Sequence, residues 1–157
     1  MWKLGVMLVI GMLVVACGGS DGSTGGEATD TAAVSATQTP DPCTLAGDAV
    51  LEAYFGEVFV GEPSEAGPID SCTWRDANAN SLLIQVASDH ALTKPDPCEG
   101  CIALSYGDDG YAAESPFQSS ATFVSGSSWY SVTTTGFRDD AASIAALGET
   151  IFTNATS

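Results

Sequence analysis

Five cysteines constrain this chain more than any other feature of its sequence. The first, Cys17, closes an apolar run over residues 4–15 that Lys3 leads. A run of about a dozen apolar residues behind a cation has the length of a secretory h-region; a bilayer-spanning helix needs roughly 20. An exported chain folds where disulfides persist. The remaining cysteines are Cys43, Cys72, Cys98 and Cys101, an even number that two bridges would consume. Four cysteines admit three connectivities. The expected one is Cys43–Cys72 with Cys98–Cys101.

Cys43 and Cys98 both stand behind the tetrapeptide PDPC, at residues 40–43 and 95–98. A reactive dithiol, a metal site and structural staples compete as explanations. Cys98-Glu99-Gly100-Cys101 has the CxxC spacing, but exchange chemistry needs a thiol whose pKa is depressed by cations or a helix N-terminus. Its neighbours Asp96 and Glu99 are anionic, and Lys94 is the one nearby cation. A zinc site through cysteines normally pairs two CxxC knuckles. Only one is present, and the single histidine, His90, has no second to join it. Neither a metal nor any other cofactor is expected. Staples remain: a proline restricts its own torsion and that of the residue before it, so PDPC would present each cysteine from a pre-extended segment. The chain-entropy model gives roughly 3.5 kcal/mol for the loop of about thirty residues closed by Cys43–Cys72 and only about 2 kcal/mol for Cys98–Cys101.

The apolar run ends in Val14-Val15-Ala16-Cys17, which resembles a bacterial lipobox. The resemblance implies cleavage before Cys17, with residues 1–16 as signal peptide, and lipid on the new terminal cysteine, palmitate included. Residues 17–40 are rich in Gly, Ser, Thr and Ala and hold no aromatic residue. Such a stretch cannot bury enough apolar surface to offset its ordering entropy, so a flexible tether is expected. Residues 41–154 then form one α+β extracytoplasmic domain with a single modest core. The expected location is the outer face of the cell membrane, with the membrane contacted through the Cys17 lipid.

All twenty acidic residues follow the cleavage point, against Arg75, Lys94 and Arg138. Nucleic acid is excluded as a partner because its phosphates require basic residues. Acidity serves solubility on an exposed face. Asp108-Asp109 in SYGDDGYA could hold a cation loosely, but the spaced carboxylates of a calcium loop are missing.

Within the domain, residues 44–56 read as a short helix with Asp48 in its first turn and Gly56 as its stop. EVFVGEP reads as a strand and SEAGPID as a loop; SCTWRD and SLLIQVAS read as strands around a turn at ANAN. Cys72 and Trp74, two apart, share the core face. Residues 88–110 form a long excursion with a short helical turn at 101–105. Residues 118–124 and 127–137 read as a hairpin across Ser125-Gly126-Ser127. The chain closes with a helix N-capped by Asp139, whose Ile144, Leu147 and Ile151 share a face; Gly148 weakens it by about 1 kcal/mol relative to alanine. Helices at the two ends of an antiparallel run predict an α+β fold, an antiparallel sheet with N-terminal and C-terminal helices packed on one face.

DPCTL, a helix ending in FGE, a C-T-W strand, an aromatic strand and an Ala-rich C-terminal helix together resemble a domain of unknown function common in mycobacterial and other actinobacterial lipoproteins. GDDGY resembles the Gly-Asp-acidic turn that often precedes a strand there. The resemblance covers nearly the whole folded domain, its motifs are structural, and it implies a lipid-anchored module with no catalytic set. The Cys98/Cys101 pair departs from that pattern.

No Gly-x-Ser-x-Gly elbow exists, and any Ser-His-Asp set would have to use His90. A two-carboxylate glycosidase lacks room for its cleft in a domain of about 110 residues. The expected function is therefore binding or sensing in the cell envelope without catalysis, the ligand being an envelope component or protein. Trp129, Tyr130, Asp108 and Asp109 are the candidate binding residues. On a strand one of Trp129 and Tyr130 points inward and the other outward, and core packing accounts better for Trp74. The alternatives are a CxxC thiol-disulfide oxidoreductase and a purely structural envelope lipoprotein.

Overall fold

Two runs of strands, separated in sequence, meet in the middle of one sheet. The computed structural model describes residues 39–88 and 99–157. Strands β1 (Glu62–Ala66), β2 (Ile69–Arg75) and β3 (Ser81–Ser88) form one antiparallel meander. Strands β4 (Ile102–Ala103), β5 (Asp109–Glu114), β6 (Gln118–Ser125) and β7 (Ser128–Thr135) form a second. β3 pairs antiparallel with β7, from Ser81↔Thr135 to Ser88↔Ser128, and fuses the meanders into the order β1-β2-β3-β7-β6-β5-β4. The helices are α1 (Pro42–Leu45), α2 (Asp48–Phe55) and α3 (Ala141–Ala155). At this level the α+β expectation holds.

The sheet's edges are protected in ways that explain two departures from the expected strands. β1 is exposed along its whole length and carries Glu62, Pro63 and Glu65, the charges and proline that keep an edge from recruiting another chain. The strand expected at EVFVGEP thus starts at Glu62. The expected SEAGPID loop is instead the body of a hairpin, because Gly67, at φ +63, and Pro68 suffice as its turn. At the opposite edge β4 spans only two residues and replaces the helical turn expected at residues 101–105, since pairing of Ile102 and Ala103 with β5 satisfies their backbone. β5 was not read from periodicity, although the GDDGY resemblance implied a strand after that turn.

One face of the sheet carries the core. Cys72, Trp74, Leu82, Ile84, Val86, Ala121, Phe123, Tyr130 and Val132 cluster with Leu45 of α1, Leu51 of α2 and Ile144, Leu147 and Ile151 of α3. The period-2 alternation of the strands and the i, i+3, i+7 stripe of α3 bring these residues to a common layer. α3 lies against β5, β6 and β7, and Asn154 Nδ2 donates to the Leu45 carbonyl at 2.8 Å, tying its end to α1.

Two local details differ from expectation. The first PDPC is the start of a helix, not an extended presenter. Asp41 is the N-cap of α1, its carboxylate accepting from the Cys43 N–H at 2.9 Å, and Pro42 takes the first turn, where its missing donor costs nothing. Cys43 joins the fully buried Cys72 with a Cα–Cα distance of 5.0 Å, as expected. Likewise α3 is capped by Asp140, which accepts from Ser143 N–H at 2.7 Å. Asp139, the expected cap, instead seats the β7–α3 junction: its carboxylate accepts from the Thr134 hydroxyl at 2.6 Å, and its carbonyl from the Ser119 hydroxyl.

Candidate functional site

The register places every second residue of the four central strands on the face opposite the core. Ser71 and Thr73 of β2, Leu83 and Gln85 of β3, Ser131 and Thr133 of β7, and Ser120 and Thr122 of β6 form adjoining rows there. Threonine and serine pair well across strands; Ser71, Thr73, Gln85, Ser120 and Thr133 are half-buried here, whereas Thr122 and Ser131 are buried. Among the described residues, Arg75 is the one charged side chain on this face of these four strands. In a chain of net charge −16, a sheet face this poor in charge stands apart from its surroundings. Its last row, Arg75, Ser81, Thr135 and Gln118, lies at one end. The row at the other end holds Ile69, Ala87, Trp129, Val124 and Asp109.

Of the candidate binding residues, the sheet therefore brings Trp129 and Asp109 into one row, two strands apart. Tyr130 turns inward: it is 4 % exposed and stacks on Phe123 at 4.9 Å, and burial raises its pKa. The candidate pairing of Trp129 with Tyr130 at one surface is thus divided between the two faces by the pleat. Asp109 Oδ1 accepts from the Gly110 N–H at 2.8 Å, and Asp108 Oδ2 accepts from the Gly126 N–H at 2.7 Å. With Asp108 N–H donating to the Val124 carbonyl, Asp108 clasps the turn before β5 onto the β6–β7 hairpin. Trp74 is buried in the core. Cys101 is disulfide-bonded; its expected partner Cys98 lies outside the described residues, as do Cys17, His90, Lys94 and the second PDPC.

A feature that sequence reasoning missed adjoins the last row of the neutral face. Ser115, Pro116, Phe117, Gln118, Ser119, Thr134, Thr135, Gly136 and Arg138 line a pocket of about 240 Å³. Ser115 builds its rim: the backbone N–H and the hydroxyl of Ser115 both donate to the Gln118 carbonyl at 2.8 Å, and Gln118 N–H donates back to Ser115 Oγ at 3.2 Å. This locked turn leaves Phe117 83 % exposed. On the other wall Gly136 has φ +88 and Arg138 has φ +58. Asn80 packs where a Cβ on Gly136 would stand, 2.2 Å from its Oδ1, so only glycine passes there. Asn80 is in turn held by Asp76, whose carboxylate accepts from its backbone and side-chain nitrogens at 2.9 and 2.8 Å. Burial works upward on the Asp76 carboxyl, but donors on Asn80 and Asn78 prevail and hold its pKa below the usual value. The sequence signal for this pocket was an aromatic residue in a Ser-Pro turn, where no strand or helix period could bury it.

Near the pocket, burial and the Asp139 carboxylate push the Tyr54 phenol up to about 12. Among the described residues no group of three or more His, Cys, Asp or Glu is placed to hold a metal ion. The chain matches no family model, no curated protein and no solved structure.

Proposed function

We propose that this chain is a lipid-anchored, extracytoplasmic binding or sensing module of the cell envelope, without catalytic activity, and that its neutral sheet face receives the ligand. The observation that carries the reading is the uncharged hydroxyl and amide residues, Ser71, Thr73, Gln85, Ser120 and Thr133, that stay partly exposed on one sheet face of an otherwise acidic domain. An uncharged, hydroxyl-rich envelope component suits it: such a ligand exchanges its hydrogen bonds with water for similar ones here and meets no charge that must be desolvated. The apolar run ending at Cys17 supports the anchor, and the lipoprotein-domain resemblance agrees with it. Both terminal helices pack on the core face, and on the opposite face Ser71, Thr73, Gln85, Ser120 and Thr133 keep part of their surface exposed.

The test uses the mature protein. Cleavage before Cys17 removes Trp2 and leaves Trp74 and Trp129 as emitters. Titration with soluble glycan fragments from its own envelope should shift the emission. The shift should vanish in Gln85→Glu/Thr133→Asp, which places charge at the centre of the face. Equal binding by the charged variant would remove this face from the reading. A mature protein beginning at Met1, without acyl mass on Cys17, would remove the anchor.

A further inference from the structure

We infer that the pocket between the β5–β6 turn and the β7–α3 junction binds a carboxylate joined to an apolar group, the chemistry presented by the C-terminal end of a peptide. This goes beyond the proposed neutral-face function and does not depend on it.

The inventory of unspent polar groups selects the charge of the ligand. The carboxylates around the pocket already accept from protein donors: Asp139 from Thr134, Asp140 from the Ser143 N–H, and Glu114 from the Ala141 N–H at 3.0 Å. The hydroxyls of Ser119, Thr134 and Ser115 have given their protons to Asp139 and Gln118. Arg138 lines the pocket, is exposed, and forms no ion pair with any described residue, although acidic residues outnumber basic ones twenty to four in the chain. A guanidinium is a planar multiple donor matched to a carboxylate. The Gln118 amide and the Thr135 hydroxyl also line the pocket but are neutral, so the one unspent charge there is a donor seeking an anion.

The backbone agrees. A non-glycine residue at φ +58 is held against its own preference, and such positions concentrate where a side chain must be aimed. The β7–α3 junction holds Arg138 there through Asp139 and through Asn80 packed on Gly136. Phe117 supplies the apolar contact: it is carried on a turn tied by three hydrogen bonds between Ser115 and Gln118, and its ring is left in water. At about 240 Å³ the pocket is smaller than the roughly 300–1,000 Å³ of sites for drug-sized ligands. One terminal residue fits; a longer ligand must extend out of it.

The domain's acidity opposes an anion at long range, but screening limits that repulsion to about 8 Å at physiological ionic strength. The pocket also lies away from Thr39, where the described chain begins. Thr39 Oγ1 lies 2.6 Å from Ser88 Oγ, beside the end of β3 whose row continues to Ser128 and Ser125. The Gln118–Thr135 row lies at the opposite end.

Binding to the full mature chain is measured by calorimetry with four probes: N-acetyl-leucine, its carboxamide, and a leucine-terminated hexapeptide with free or amidated C-terminus. The free acids should bind at least about tenfold more tightly than their amides, the worth of one charge-assisted contact. Arg138→Asn removes the charge but tolerates the left-handed backbone, and should erase the preference. Arg138→Lys should retain part of it. Phe117→Ala should weaken acid and amide alike while leaving the fold unchanged, because that side chain is exposed. A hexapeptide tighter than N-acetyl-leucine identifies the chain end as the source, and equal affinities identify a small acid. Acids and amides binding alike, or no binding at millimolar concentration, overturns the proposal.

Discussion

Substituting Gly148 by alanine pits local preference against packing. Glycine inside α3 costs about 1 kcal/mol relative to alanine, so helix propensity alone predicts that Gly148→Ala stabilises. The tertiary structure predicts the reverse. A Cβ at this position would stand 2.1 Å from Tyr106 Oη and 2.9 Å from the Ala121 Cβ. Ala121 belongs to β6 in the centre of the core and has nowhere to go. Tyr106 could retreat only by giving up its 2.9 Å hydrogen bond to the Ala145 carbonyl and its edge contact with Phe123 at 5.3 Å. Losing the hydrogen bond costs about 1 kcal/mol, and overpacking adds about 1–3 kcal/mol. Subtracting the helical gain leaves a net loss of about 1–3 kcal/mol. For a domain near 100 residues that lowers Tm by about 4–8 °C per kcal/mol. Urea unfolding followed by near-UV circular dichroism measures it. In a Tyr106→Phe background, which removes the closest clashing atom, the same substitution should cost less, and the cycle isolates the coupling. A Gly148→Ala variant as stable as the parent, or more so, would falsify the packing argument.

The paired substitution Cys43→Ala/Cys72→Ala opens a loop with a sequence separation of 29 and should cost about 3.5 kcal/mol on the chain-entropy model; an unchanged denaturation midpoint would contradict it. Hydrogen bonds from the Ser143 backbone and side chain draw the Asp140 carboxyl below its ordinary 3.8. A depressed value contributes stability that is fully present above 3.8 and lost as pH falls through the folded value. Asp140→Asn should therefore show a shallower loss of stability in acid, and identical acid profiles would refute the capping assignment. Tyr54 behaves oppositely, because burial, then the Asp139 carboxylate, raise its phenol to about 12. Its contribution persists below 10 and disappears as pH rises through 12. Tyr54→Phe should flatten that alkaline decline, and an unaltered alkaline limb would sink the argument.

Much of the fold was legible because its signals are local. Alternation put Cys72 beside Trp74, the Gly126-Ser127 turn marked the β6–β7 hairpin, and a 3.6-residue period put Ile144, Leu147 and Ile151 on one stripe. The misreadings occurred where two adjacent residues were equally qualified or where a partner supplied the reason. Asp139 and Asp140 are chemically identical as caps, and only Thr134 and Ser119 reaching across from β7 and β6 divide their roles. Two-residue β4 has no periodicity to read; it exists because β5 offers it hydrogen bonds.

The sequence by itself determined that its cysteines could pair in three ways, with Cys43–Cys72 preferred, that short strands lie between terminal helices, and that the chain is acidic. These follow from covalent chemistry, side-chain period and charge, each carried by a few neighbouring residues. The pairing of β3 with β7, the neutral face that their register assembles, and the pocket that sets Phe117 opposite Arg138 were decided only by tertiary structure. Each joins residues some twenty to fifty positions apart, and no local preference encodes which distant strand will satisfy a given backbone.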